Sequence, residues 1–220
     1  MKSRDIPVIL IFLLLIAFFS IPVSRKAYES AYKTLPVLVT FIKFAVMATG
    51  GEMVAQRFST GRYLNRGFGI LPKMIIWGLL GISIYWAFVI FSNGAPVLLP
   101  HFNKTTELAS RILTAFIISF SMNISFAPMM MLTHHLTDMH IASNKGRFPL
   151  KNFAVLPLLT QIDWQKMWGF VIKKTIPMFW IPAHTVTFLL PEQFRTIFAA
   201  GLSAVLGILL GAVKAKDNLS

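Results

Sequence analysis

Apolar residues run along this chain in blocks of helical length, and short clusters of Lys, Arg, Gly and Pro separate the blocks. A helix needs about 20 apolar residues to cross a hydrocarbon core of about 30 Å. Ile6 to Val23, Leu35 to Gln56, Met74 to Ser92, Leu108 to Leu132, Thr175 to Leu190 and Phe194 to Val213 meet or approach that length. The first block carries no charge and follows Lys2 and Arg4, as a signal peptide would. Its exit, Ile21 to Lys26, lacks a small-residue cleavage site, so a retained helix is expected. The fifth block is short, and Pro177 and Pro182 are expected to break it, because proline removes a helical hydrogen bond. Asp163 to Trp168, just before it, reads as an interfacial amphipathic start.

The pattern predicts an all-α, polytopic membrane helix bundle. It has four core spans, an N-terminal helix and a proline-broken fifth region, hence five to six membrane helices. Residues 1–34 form the additional N-terminal helix and loop, 35–213 the bundle and 214–220 a cytoplasmic tail. No internal repeat is evident, so the inverted-repeat signature of many transporters is missing.

Composition narrows the function classes. Of the 220 residues, 55% are hydrophobic and 13% are charged, against about 25% charged in soluble domains. Mean hydropathy is +0.67. An ordinary soluble enzyme is excluded, and so is a disordered chain, since 20 Phe and 5 Trp must be buried or lipid-covered. With no Cys, thiol chemistry and Cys-ligated metals are excluded.

The net charge of +13 would suggest nucleic acid in a soluble protein. Here the cations flank apolar blocks, as the positive-inside rule describes, and no nucleic-acid partner is expected. With the N-terminus inside, Lys2, Arg4, Arg57, Arg62, Arg66, Lys73, Lys145, Arg147, Lys151, Lys166, Lys214 and Lys216 fall on the inner side. Arg25, Lys26, Lys33, Lys104 and Arg195 fall outside. An interfacial first helix would remove the awkward 25–33 cluster.

Polar groups within apolar spans are costly unless paired, and so are informative. Glu52 and Gln56 share a helix face, and Arg111, Asn123, His184 and Thr187 join them as a possible polar path. The competing reading is hydrogen-bonding glue between helices. His134, His135 and Asp138 offer an acid–base or metal-ligand set, since His134 and Asp138 lie one turn apart, but the H-E-x-x-H pattern is absent. Ser203, Gly207 and Gly211 form a small-residue stripe suited to close helix packing, within one chain or in a homo-oligomer. Arg195 follows the short Pro191 turn, where its guanidinium can clamp helix-end carbonyls.

Trp180, Pro182, Phe188, Pro191 and Arg195 follow a motif order that resembles the Mpv-seventeen/PMP-twenty-two family. Its pattern there is W-P-x-x-Q-x-x-N-F followed by V-P-x-x-x-R. Here His184 stands for the Gln and Thr187 for the Asn, and the two prolines are each one position off. Gly51 to Gln56 resembles the family's G-D-x-x-x-Q with Glu for Asp, and Met122 to Pro128 its D-Q-x-x-F-x-P without the acid.

The resemblance, spanning 35–213, implies a compact helical bundle with no cofactor and no catalytic set. It implies channel-like permeation of small solutes or metabolites, or membrane maintenance. The host membrane would be the plasma membrane of a bacterium, or the mitochondrial inner or peroxisomal membrane in a eukaryote. It also implies structural roles for Trp180, Pro182, Pro191 and Arg195. Three function classes therefore stand before the structure: a small-solute channel or carrier, a structural membrane protein without transport, and an intramembrane metal-dependent enzyme.

Overall fold

The computed structural model describes residues 5–98 and 106–217, and every regular element among them is helical. Lys2, Arg4 and Lys104 lie outside the described residues. The chain divides into two compact units, Met1–Val39 and Thr40–Ser220. In the first unit, α1 (Ile6–Ser20) meets α2 (Pro22–Thr34) at Ile21, whose extended backbone lets Pro22 open the next helix. Phe19 packs edge-on against Tyr28 across that corner.

In the second unit α3 (Pro36–Thr60, shared at its start with the first unit) and α4 (Ile70–Gly94) form a hairpin closed by residues 61–69. Gly69, at φ +73°, caps the start of α4 in the left-handed region. A Cβ there would lie 2.8 Å from the Gly146 carbonyl oxygen, so only glycine lets the 61–69 loop sit against the 144–147 loop. α5 (Glu107–Ser125) carries a Thr106 side-chain N-cap and ends at Phe126. Pro128 then opens α6 (Ala127–Ser143), so the single span expected over 108–132 is two helices. The short α7 (Val155–Leu159) and α8 (Trp164–Lys166) follow, with Asp163 capping α8.

The fifth block departs from expectation. A π-helix, Met167–Trp180, runs directly into α9 (Ile181–Leu189), and the chain stays helical through both Pro177 and Pro182. The Ile181 amide bonds to the Ile176 carbonyl, the i→i−5 register that admits residues an α-helix would exclude. α10 (Glu192–Asp217) closes the unit after the Pro191 turn.

Four helices are long and apolar enough to cross a membrane: Pro36–Thr60, Ile70–Val97, Glu107–Ser125 and Glu192–Leu209. Their polarity is that of a membrane protein. Thr40, Ser119, Asn123, Thr187 and Thr196 are buried, whereas Leu71 and Ile90 are 67% and 66% exposed. Ile42, Val46, Phe120, Ile124 and Val205 join that outer apolar surface. So much outward Leu, Ile and Phe fits hydrocarbon rather than water. The chain is an integral membrane protein by this criterion.

Close helix approaches set the interior. Gly78 and Gly81 of α4 receive the rings of Phe41 and Phe44 from α3. Gly51 of α3 lies against the backbone of Ala204 on α10. The unit has two distinguishable ends. One joins the 61–69 and 144–147 loops and carries Arg57, Arg62, Arg66, Lys145 and Arg147. The other holds the Pro191 turn, where Arg195 reaches Ser92 near the end of α4.

Candidate functional site

Near the basic end, α3, α4 and α6 converge on a charged network. Glu52 enters from α3, Lys73 and Trp77 from successive turns of α4, and His134 and Asp138 from successive turns of α6. The Lys73 Nζ donates to Glu52 Oε2 at 2.6 Å and to Asp138 Oδ1 at 2.5 Å. Glu52 Oε1 accepts from Trp77 Nε1 at 2.6 Å and lies 3.0 Å from His134 Nε2. The Trp77 and His134 rings pack with centroids 4.3 Å apart. Lys73 also faces the Phe68 ring at 5.2 Å.

Two carboxylates and one ammonium leave one negative charge, and a proton on His134 makes the network neutral. Burial lowers the His134 imidazole pKa. The hydrogen bond to Glu52 and the Asp138 and Glu52 charges outweigh it, so the net shift is upward. His135 faces away from this balance: burial and the His134 charge hold its pKa below the usual value.

A His pKa raised above the unfolded value of about 6.5 stabilises the fold fully below that pH, and the gain disappears as pH rises through the folded value. The melting temperature of wild type minus that of His134→Gln is therefore expected to shrink as pH rises from about 6 to 9. His135 offsets part of this difference at low pH, because the His134 charge that depresses its pKa is absent from the variant. A difference independent of pH would contradict a charged His134.

Glu52, His134 and Asp138 bring ligand atoms within 4.8 Å of one another, a spacing that suits a metal ion. Lys73 Nζ already lies between the two carboxylates. Its positive charge and hydrogen bonds do the work a cation would do there. Of the His134, His135 and Asp138 set, His134 and Asp138 belong to this cluster with Glu52, and none of the bonds within it involves His135.

The polar path expected from Glu52, Gln56, Arg111, Asn123, His184 and Thr187 is not one assembly. Gln56 lies one turn beyond Glu52, and its buried Oε1 has no hydrogen-bond partner. Arg111 is exposed near the start of α5, where a long side chain can carry its charge toward water. The Thr187 hydroxyl donates to the Ala183 carbonyl of its own helix.

Asn123 and His184 form a separate buried pair. Asn123 Nδ2 donates to the Ser119 carbonyl at 2.8 Å and lies 3.1 Å from His184 Nδ1, and Ser119 Oγ donates to the Ile181 carbonyl at 2.7 Å. Trp180 packs on the His184 ring at 5.1 Å.

At the opposite end, Arg195 Nε donates to the Leu190 carbonyl at 3.0 Å, Nη2 to the Phe188 carbonyl at 3.4 Å and Nη1 to Ser92 Oγ at 3.3 Å. These carbonyls are the ones the end of α9 and the Pro191 turn leave open. Pro182 is exposed on the first turn of α9, and Pro191 is exposed in the turn itself. Lysine keeps the charge of Arg195 but loses the planar fork. Arg195→Lys is expected to lower stability by about 1–2 kcal/mol in denaturant unfolding.

In the small-residue stripe, Gly207 faces Gly51 and Ala55 of α3, while the surroundings of Gly211 lie outside the described residues. Both Lys73 and Trp77 escape a reading of motifs alone. A lone carboxylate inside an apolar span demands a cation, and the next helix of the hairpin offers Lys73 at its first turn. That pairing is the signal available in the sequence. Compared with protein-family models, curated proteins and solved structures, the chain finds no match.

Proposed function

We propose that the chain conducts small solutes across its membrane, and that the Glu52–Lys73–Asp138–His134 network is the lock at its basic end. The observation that carries this reading is a set of paired charges inside a bundle with an apolar exterior. Intramembrane ionisable groups mark substrate or ion paths more often than they serve packing alone. The partners come from three helices, so a shift of α6 against the α3–α4 hairpin breaks the lock without unfolding any element. His134, His135 and Asp138 then serve the lock or its surroundings, with no catalytic or cofactor role. The motif resemblance points the same way. By the positive-inside rule the basic end is cytoplasmic, and a bacterial plasma membrane is the host.

The test is flux from liposomes holding purified protein, with a panel of small neutral and anionic solutes. Glu52→Gln/Lys73→Met removes one opposed pair of charges together. This reading expects higher flux per folded molecule than in wild type. One observation favours a second reading: the network ties three helices at one point, as a purely structural tie would. That reading expects altered melting temperature and no flux from either protein, across the whole panel.

A further inference from the structure

Between α6 and the π-helix, residues 144–166 belong to no helix long enough to cross a membrane, yet they carry two sets of large apolar side chains. The first set is packed: Leu158 and Ile162 are buried with Met167 against Leu136 of α6. The second lies outside that core. Leu150 is 79% exposed and Leu156 74%, and Trp164 and Trp168, four residues apart, are exposed as well. Large apolar groups gathered like this outside a spanning helix mark an interaction surface.

Cations are interleaved with them. Lys151 follows Leu150, Lys166 falls between the two indoles in sequence, and Lys173 Nζ stands 5.8 Å from the centre of the Trp168 ring. From Met139 to Lys174 the chain has six Lys and Arg residues and one acid, Asp163, whose carboxylate accepts from the Lys166 amide. The 61–69 loop, held against 144–147 at Gly69 and Gly146, adds exposed Arg62 and Arg66 and no acid. Glu52 and Asp138, the other acids at this end, already share Lys73.

We infer that residues 144–168, with the 61–69 loop beside them, form a docking surface for anionic phospholipid headgroups of the adjoining leaflet. Charge and apolarity together select this occupant. A free anion would leave the leucines and indoles uncovered, and an apolar partner would leave the cations without counter-charge. An anionic leaflet meets both needs: its phosphates and headgroups attract Lys and Arg, while the apolar side chains enter the boundary between headgroups and acyl chains. Tryptophan favours that depth. The level is right as well, since α3 ends and α4 begins at the loop that 144–147 touches. The inference concerns lipid and needs no flux, so it stands or falls separately from conduction.

The experiment is tryptophan quenching of the full chain in liposomes of phosphatidylcholine with a minor share of phosphatidylglycerol, one lipid or the other brominated high on its acyl chain. In Trp86→Phe the exposed indoles are Trp164 and Trp168, because Trp77 and Trp180 are buried. Phosphatidylglycerol is expected to reach them with an apparent affinity about fivefold above phosphatidylcholine, the weight of one cation near an anionic surface. Adding Arg147→Gln/Lys151→Gln/Lys166→Gln is expected to bring that ratio toward one. A ratio of one in the parent, or a ratio that the added substitutions leave unchanged, overturns the assignment. So does an absence of quenching by either lipid, which would mean that a second copy covers the face. Inorganic phosphate is then compared with chloride at equal ionic strength. Equal competition supports a lipid surface, and loss of the preference with phosphate alone overturns it in favour of a small-anion site. Should the multiple variant fail to fold, the parent is measured in 1 M salt, where charges are screened beyond about 3 Å. A reduced ratio supports the surface, and an unchanged one overturns it.

Discussion

Lys73→Met is expected to lower the stability of the bundle by about 3–5 kcal/mol, the usual cost of removing one partner from a buried ion pair. The Lys73 side chain is 11% exposed, and its ammonium is shared by Glu52 and Asp138. Without it, two carboxylates face each other across a half-buried site with only His134 to offset them. Asp138, at 32% exposure, recovers some hydration and places the loss nearer the lower figure. The double variant Glu52→Gln/Lys73→Met is expected to regain much of it, because a neutral amide replaces the stranded charge. Denaturant unfolding of wild type, both single variants and the double gives the coupling directly. Additive losses, with no recovery in the double variant, would mean that Lys73 and Glu52 do not act as a pair. Removing Lys73 also opens the space between Glu52, His134 and Asp138. Added zinc is therefore expected to raise the melting temperature of Lys73→Ala and to leave wild type unchanged, by the mass-action rule for a ligand of the native state.

Much of the fold was legible because helix-length apolar runs have one stable outcome in a bilayer. The α3–α4 hairpin, α5 and α10 follow from the apolar blocks between their charged flanks. Prolines were harder to read. Pro128 restarts a helix, because an opening position needs no N–H there. Pro177, expected to break a span, lies within a π-helix. A local pattern does not distinguish these outcomes, since neighbouring helices decide whether freed carbonyls find partners.

The charged network was half legible. Glu52 advertises itself as a carboxylate in an apolar span, and His134 and Asp138 as one helical face. Their meeting depends on α6 folding back against the hairpin, which no spacing encodes. Lys73 reads as a flank, because its α-carbon lies at the end of an apolar block; only the length of its side chain carries the charge inward. The meeting of Asn123 with His184 was illegible for a similar reason. The two come from α5 and α9, and their contact is visible only once those helices pack.

Gly51→Leu is expected to disrupt the packing of α10 on α3, with a loss of at least about 3 kcal/mol, the upper end of ordinary overpacking. A Cβ at Gly51 would lie 2.6 Å from the Ala204 Cβ and closer still to its α-carbon, so the obstacle is partly backbone. A side chain can change rotamer, but a helix must move as a body. Gly207, one turn further along the same contact, is less tight: a Cβ there would stand 3.8 Å from the Gly51 carbonyl oxygen and 3.9 Å from the Ala55 Cβ. Gly207→Ala is therefore expected to be nearly neutral, and Gly207→Leu to cost about 1–3 kcal/mol. The order Gly51→Leu, then Gly207→Leu, then Gly207→Ala is a sharper test than any single value, because it follows the distances. Between helices in a bilayer no hydrophobic effect favours contact, and dispersion between closely approaching backbones must supply the attraction. If denaturant unfolding in detergent ranked Gly207→Ala with Gly51→Leu, the close approach at Gly51 would not be what holds α10 to α3. A Gly51→Leu chain that kept its stability would mean the same, since a leucine fits there only if the two helices already stand further apart.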